Sequence, residues 1–357
     1  MDEVGVRLPV GPPHMNKFTF QELKEDEAFD PNTLYPGTPF TQAAFYGHWQ
    51  KNLGRTVRRF LMSEDGNVVA YVQLITYPLM AGKSYLYAPY GPVVINTTEK
   101  MLQALKIELL RIAREEDAVF VRLDFTPPTS SSGISNIFTP ASRRTYHSSY
   151  FQPRTEWFLP LGKSEYDLLS DMHKHTRYSI RTGEQREVTA EIVTENFQNY
   201  FAAFYALMAE TATRNGFHLH PKKYYEGIFE SLPHIPGSYL SVARLQDTIL
   251  AVNLIIVFGN VAMHVFGGSS SEERQRMPAY VAQWKSICHA KSIGCADYNF
   301  GGISSKGDPH TGWEGLTAFK QKFGGHEVTH SEFFDLIVQP LWYHLYNFKK
   351  LLKSIGL

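Results

Sequence analysis

The stretch with the clearest chemical potential is residues 297–325, DYNFGGISSKGDPHTGWEGLTAFKQKFGG. Its paired glycines, Gly301 and Gly302, close a short run with the turn signals of a strand end. A polar loop, 304–312, follows, then an amphipathic turn over 315–323 closed by Gly324 and Gly325. Leu316, Phe319 and Phe323 stand at i, i+3 and i+7, which places them on one helical face with Lys320 beside it. A lysine tethered to a buried aromatic, next to a strand whose glycines let a ligand approach, fixes one positive charge in a cleft. Such a charge suits the oxyanion of an acyl transfer. The same spacing also describes a surface helix with a glycine cap and snorkelling lysines, and spacing alone does not separate the two.

The elements that must hold this stretch are those of a soluble chain. Its 357 residues suffice for two ordinary domains, and 43% hydrophobic with 20% charged residues supports a sizeable core. Aromatics make up 14%, which favours strand-rich α/β structure with large clefts. Lys plus Arg and Asp plus Glu both number 35, so the molecule as a whole does not advertise a polyanionic partner, although a local basic groove is compatible with that balance. Cys288 and Cys295, the two cysteines, fall seven apart on an expected helix and read as small buried hydrophobes of a reducing compartment. With no signal peptide at the amino terminus and no apolar stretch long enough for a bilayer, the expected location is cytoplasmic.

In chain order, residues 1–38 are rich in Pro and Gly and are expected to wrap the surface. The periodicity predicts a helix over 41–53, strands over 56–62 and 68–77 around an Asp65-Gly66 turn, a strand at 84–88, a helix over 98–115 capped by Thr98, and a strand at 118–125. A long loop, 126–152, separates this from a second unit. There the pattern predicts a strand at 156–161, a helix over 166–184, a strand at 191–193 and helices over 196–214 and 221–231. Strands at 239–245, 249–258 and 262–266 follow, then a helix over 278–292, a strand at 296–300 and a last helix over 340–352. Helix, hairpin, strand, helix, strand thus occurs twice, around 41–125 and 196–300, an internal duplication of one α/β unit. The expected domains are 1–156, with 333–357 packing back on it, and 157–332.

A mixed sheet of this order with helices on both faces resembles the acyltransferase fold of the N-acetyltransferase (GNAT) superfamily, here in tandem. A coenzyme A enzyme of that fold cradles the pyrophosphate with the backbone amides of a Gly-rich loop at a helix N-terminus. The corresponding loop, 272–279, reads EERQRMPA, has no glycine, and loses a donor at Pro278. The resemblance therefore implies a donor other than acyl-CoA.

Six segments point to what that donor is. Phe40-Thr41-Gln42 with Trp49-Gln50-Lys51, the turn Tyr87-Ala88-Pro89-Tyr90-Gly91-Pro92-Val93, and Lys174-His175-Thr176-Arg177-Tyr178-Ser179-Ile180-Arg181 come first. Arg214-Asn215-Gly216-Phe217-His218, Asn299-Phe300-Gly301-Gly302 and the Gly315 to Gly324 motif complete the set. Together, in this order, they resemble the Fem family of peptidoglycan aminoacyltransferases, which move an amino acid from aminoacyl-tRNA to the stem-peptide amine of a cell-wall precursor. The likeness covers most of the chain. It implies that Lys51, or the neighbouring Gln50, and Arg214 hold the diphosphate of a UDP-linked sugar-peptide, that His218, His264 and Asp124 face the same ligand, and that Phe319 and Lys320 meet the tRNA end and the reacting ester. Lys174, Arg177 and Arg181, at i, i+3 and i+7, either meet the tRNA acceptor stem or form a solvated face. The family's helical coiled-coil arm has no counterpart, since the segment between Arg214 and Tyr239 is too short for it.

The implied partners are therefore aminoacyl-tRNA and a peptidoglycan precursor, UDP-MurNAc-pentapeptide or lipid II, with peripheral contact at the inner membrane face for a lipid-linked acceptor. No cofactor is expected. The H-x-H pairs His173/His175 and His218/His220 lack a nearby third carboxylate or thiol, so no metal is expected either. A G-x-S-x-G elbow for serine hydrolysis is absent. Two other readings remain open at this level: an acyl-CoA-dependent N-acyltransferase with an unfamiliar loop, and a non-catalytic protein that only binds tRNA or precursor.

Overall fold

A computed structural model describes residues 18–127, 131–141, 152–304 and 313–354. The first sheet collects β1 (Phe18–Leu23), β2 (Val57–Glu64), β3 (Asn67–Pro78), β4 (Ser84–Ala88), β5 (Val93–Val94), β6 (Ala118–Leu123) and β7 (Thr139–Pro140). The second collects β8 (Thr155–Pro160), β9 (Val188–Val193), β10 (Tyr239–Leu245), β11 (Thr248–Phe258), β12 (Val261–Ser269), β13 (Asp297–Gly302) and β14 (His326–Thr329). The last strand, β15 (Phe334–Ile337), returns to the first sheet. The orders are β1-β2-β3-β4-β6-β15-β7, with β5 on β3, and β14-β8-β13-β12-β11-β10-β9. Helices α1 (Ala44–Asn52), α2 (Glu99–Glu115) and α3 (Ser131–Ile134) belong to the first half of the chain. They are followed by α4 (Glu165–Asp171), α5 (Lys174–Gln185), α6 (Gln198–Asn215), α7 (Lys222–Ser231), α8 (Pro278–Ser292), α9 (Glu314–Gln321) and α10 (Pro340–Ser354).

Local chemistry explains the leading elements. The β2–β3 hairpin turns on Asp65 and Gly66, both at positive φ (49° and 87°), as a two-residue turn of matching twist requires. Thr98 caps α2 by accepting from the Met101 amide at 3.2 Å, and the helix buries Met101, Leu102, Leu105, Leu109 and Ile112 against the first sheet. The duplication is visible in the architecture: α1, β2–β3, β4, α2, β6 is repeated as α6–α7, β10–β11, β12, α8, β13. Each copy has one parallel pair at its centre, β4 with β6 and β12 with β13. The first pair stays together from Ser84↔Ala118 to Ala88↔Leu123. The second keeps only Val261↔Asp297 to Met263↔Asn299 and then parts, which opens the sheet beside Gly301 and Gly302. A shared core joins the two sheets, with Phe40, Trp49 and Tyr77 in one cluster with Phe204, Tyr225, Phe229 and Ile256.

The tandem GNAT-like α/β reading holds, and several details differ from the sequence expectations. The helix expected over 166–184 is two, α4 and α5, because Met172 adopts an extended, buried conformation and His173 caps α5, its Nδ1 accepting from the His175 amide at 3.2 Å. No Gly or Pro marks that break. Cys295 lies beyond the end of α8, buried, rather than on the helix. Leu316 is 47% exposed, so the apolar packing of α9 and the turn that follows it rests on Phe319 and Phe323 without it. The loop expected over 126–152 carries the short helix α3 and the strand β7, while its residues 128–130 and 142–151 lie outside the described residues, as do 305–312 of the loop expected at 304–312. Strands β1, β5, β7, β14 and β15 went unpredicted. In β15 the reason is Asp335, a fully buried charge inside the strand. Arg122 of β6 donates to both of its carboxylate oxygens at 2.6 Å, and Tyr343 of α10 donates to it at 2.8 Å. A bidentate partner makes the burial tolerable and anchors the end of the chain to the first sheet.

Candidate functional site

The parting of β12 and β13 leaves backbone groups that the ladder does not use, and α9 delivers a lysine to them. Lys320 is 7% exposed and donates from Nζ to the Gly302 carbonyl at 2.6 Å. Burial brings its pKa down to about 7, with the nearby Glu156 carboxylate opposing the fall. The amine thus sits close to its own titration point at neutral pH. Gly302 lets Pro153 and Trp313 pack closely on the strand: a Cβ there would stand 2.5 Å from Pro153 and 2.8 Å from Trp313. Gly301, at φ 77°, takes a left-handed conformation that its neighbours in the strand do not.

Facing Gly302 across the β8–β13 ladder is Glu156, 1% exposed. Its Oε2 accepts from Asn299 Nδ2 at 3.0 Å and lies 2.8 Å from His330 Nε2. Its Oε1 is buried and has no hydrogen-bond partner among the described residues. The His330 ring packs against Tyr90, centroid to centroid 4.1 Å, and the Tyr90 hydroxyl donates to the Pro153 carbonyl at 2.5 Å while standing near the Glu156 carboxylate. A small cavity, about 40 Å³, opens here between the sheets, with Phe40, Tyr90, Glu156, Met263, Asn299 and His330 among its walls. On β12, the His264 imidazole is driven to about 3 by burial and then by the Lys320 charge, so it is neutral, and its buried Nε2 has no partner among the described residues.

The other residues singled out by sequence fall in several places. Phe319 packs edge-on against Tyr280 and Phe323, 5.2 Å to each, and is half-buried. Asp124 is fully buried at the end of β6, where Tyr87 donates to it at 3.0 Å, and desolvation raises its carboxyl well above the usual range. It clamps the 87–93 turn from beneath. On α1, Lys51 reaches solvent and pairs with Glu25 at 2.8 Å, whereas Gln50 is fully buried and accepts from Arg55. Arg214 donates to the Ser269 carbonyl (2.9 Å), Ser271 Oγ (3.0 Å), Ser269 Oγ (3.1 Å) and Thr211 Oγ1 (3.2 Å), which binds α6 to the end of β12. Burial, then the charge of Arg274, lowers its pKa. His218 is exposed. Lys174 and Arg181 are exposed, but Arg177 turns back to donate to the Ser170 carbonyl at 2.7 Å and caps α4, so the three do not form one free basic face. The structure therefore brings Lys320 and His264 together, with Phe319 on the same helix as the lysine. Glu156 and His330 escaped sequence reasoning: they lie 174 residues apart, and only the sheet pairing of β8 joins them.

Among the described residues no cluster of His, Cys, Asp and Glu could hold a metal ion. A buried lysine close to its titration point, a neutral imidazole beside it and a carboxylate with a spare oxygen can stabilise an oxyanion and orient a cationic or amine group.

Comparison with known proteins agrees with this geometry. The profile of the FemAB family matches residues 143–246 and 239–351. The chain is similar to the lipid II:glycine glycyltransferase of Staphylococcus aureus, at 21% identity over 86% of this chain and 90% of that protein. The lipid II:glycine glycyltransferase of Staphylococcus epidermidis is 20% identical, over 87% and 91%. Among solved structures, FemX superposes with a TM-score of 0.78 at 20% identity, covering 92% of this chain and 100% of that one. A tandem GNAT protein from the clavulanic acid pathway superposes at 0.51 with 12% identity, over 90% and 99%.

Proposed function

The chain belongs to the FemAB family, and we propose that it moves an amino acid from aminoacyl-tRNA to the stem-peptide amine of a peptidoglycan precursor, building the interpeptide bridge. That it is an aminoacyltransferase is supported by its relatives, which act as glycyltransferases on lipid II. The observation that carries the mechanism is Lys320, buried at the sheet opening with its amine on Gly302.

In the proposed reaction the neutral acceptor amine attacks the ester carbonyl of the aminoacyl group. The carbon–nitrogen bond forms as the oxygen gains charge, and the Lys320 ammonium meets that oxyanion. Collapse breaks the ester carbon–oxygen bond, and the proton shed by the attacking amine ends on the ribose hydroxyl of the departing tRNA. Both reactants arrive activated or nucleophilic, so no covalent enzyme intermediate is required. Orientation of the two can supply about 7–11 kcal/mol. Phe319 supports the terminal adenosine by stacking. Lys51 and Arg214 clamp the acceptor's diphosphate, Arg214 by exchanging its serine contacts for phosphate oxygens. His264, His218 and Asp124 border the acceptor site, and Lys174 and Arg181, with Arg177 behind them, meet the acceptor stem.

An acyl-CoA donor is disfavoured by the loop before α8. It has no glycine and is tied to the end of α5, with Arg186 donating to the Gln275 carbonyl and Arg276 donating back to the Arg186 carbonyl at 2.9 Å. Calorimetric titration with coenzyme A tests this: tight binding would favour the acyl-CoA reading. Binding of tRNA and precursor without product would instead favour a non-catalytic protein. No helix among the described residues is long and apolar enough to cross a membrane. Contact with the membrane face is supported by α10, which exposes Leu341, Leu345 and Phe348 at i, i+4 and i+7 beside Lys349 and Lys350 and carries no acidic residue. An anionic lipid surface complements that helix.

A further inference from the structure

Glu156 Oε1 is a buried carboxylate oxygen that no hydrogen bond satisfies among the described residues, on a wall of the 40 Å³ cavity. Leaving such an oxygen unpaired costs about 1–3 kcal/mol or more, so its persistence points to an occupant. Asn299 and His330 both use Oε2, and the Tyr90 hydroxyl, which also lies within reach of the Glu156 carboxylate, donates to the Pro153 carbonyl at 2.5 Å.

We propose that Glu156 binds the α-ammonium group of the donor amino acid while that amino acid is held as its ester, which makes it a specificity residue for α-aminoacyl donors. The proposal rests on the reading of the chain as an aminoacyltransferase. Glu156 faces Gly302 across the β8–β13 ladder, and Lys320 Nζ is bound to the Gly302 carbonyl, so two opposite charges flank one peptide unit. An α-aminoacyl ester presents the complementary pair: a carbonyl oxygen for the lysine and, on the adjacent carbon, an ammonium for the carboxylate. The acceptor amine fits less well, because the attacking nitrogen must be the free base and a carboxylate beside it favours the ammonium form. The donor nitrogen does not react, and as an ammonium it also cannot act as a nucleophile. The cavity volume, with Phe40, Phe158 and Met263 around it, suits a donor with little or no side chain.

The test uses the full chain and two non-transferable amide probes, 3′-deoxy-3′-(glycylamino)adenosine and its glycoloyl counterpart, in which a hydroxyl replaces the ammonium. The wild type should bind the glycyl probe at least about tenfold tighter at pH 6.5, a difference typical of one charge-assisted hydrogen bond. Glu156→Gln, an isosteric change, should bring the two within about twofold. Equal affinity of the wild type for both probes overturns the proposal even if the variant fails to fold, and so does an unchanged ratio in a folded Glu156→Gln. If the wild type prefers the glycyl probe but transfers no amino acid from charged tRNA, the ammonium site stands and the aminoacyltransferase reading falls. If transfer proceeds and the probes bind alike, the site falls and the function stands.

Discussion

Replacing Lys320 with methionine should stabilise the protein in acid and destabilise it in base. Methionine keeps the length and loses the charge. The lysine falls from 10.5 to about 7 on burial, and at 1.36 kcal/mol per pH unit the cost of holding it charged in the fold is about 5 kcal/mol. The group's folded pKa is depressed, so below pH 7 both folded and unfolded chains carry the proton and the folded state bears the full cost. Between pH 7 and 10.5 only the unfolded chain keeps the proton, and wild-type stability rises with pH. Methionine removes this cost but leaves the Gly302 carbonyl without its 2.6 Å donor, a loss of about 1–2 kcal/mol. Lys320→Met should therefore be more stable than wild type by about 3 kcal/mol at pH 6, equal to it near about pH 9.5, and less stable by about 1 kcal/mol at pH 10. Urea unfolding of both proteins at pH 6, 7, 8, 9 and 10, followed by tryptophan fluorescence, reads the crossover. A difference that is flat with pH, or destabilisation at pH 6, refutes the burial argument. In turnover the same variant should lose ~10²–10³-fold, the worth of one oxyanion donor, and activity within about threefold of wild type would remove Lys320 from the chemistry.

Other perturbations separate the remaining parts of the account. Asp335→Ala removes the bidentate carboxylate partner of the buried Arg122, and should cost about 3–5 kcal/mol by urea unfolding. A loss below about 1 kcal/mol would mean that the pair does not anchor the chain end. Arg214→Ala should raise KM for the UDP-linked acceptor about tenfold or more with a smaller change in kcat, and an unchanged KM would confine Arg214 to its serine contacts. Leu345→Ser with Phe348→Ser should reduce co-sedimentation with phosphatidylglycerol vesicles severalfold while leaving transfer to a soluble acceptor intact. Equal wild-type binding to phosphatidylcholine vesicles would contradict the role given to Lys349 and Lys350.

The duplicated unit was legible because its signals are local. The Asp65-Gly66 turn, the Thr98 cap and the apolar stripe of α2 each act within a few residues. Lys320 was legible for the same reason, as part of a compact motif with Phe319 and Phe323. What stayed hidden depends on contacts made across the chain. Asp335 reads as a poor strand residue until Arg122 is placed opposite it, 213 positions earlier. The break at Met172 has no glycine or proline to announce it, and Arg177 looks like a free cation until its guanidinium is found on α4. Glu156 and His330 carry no motif at all. They meet only when β14 pairs with β8.

Transfer itself can be measured directly. Purified protein would be given a total-tRNA pool charged with radiolabelled amino acids, with UDP-MurNAc-pentapeptide or lipid II as acceptor. The expected result is a labelled precursor whose formation is abolished by ribonuclease treatment of the donor, with the label in an amino acid of small side chain. No labelled product from either acceptor, with the protein folded and tRNA charged, would contradict it.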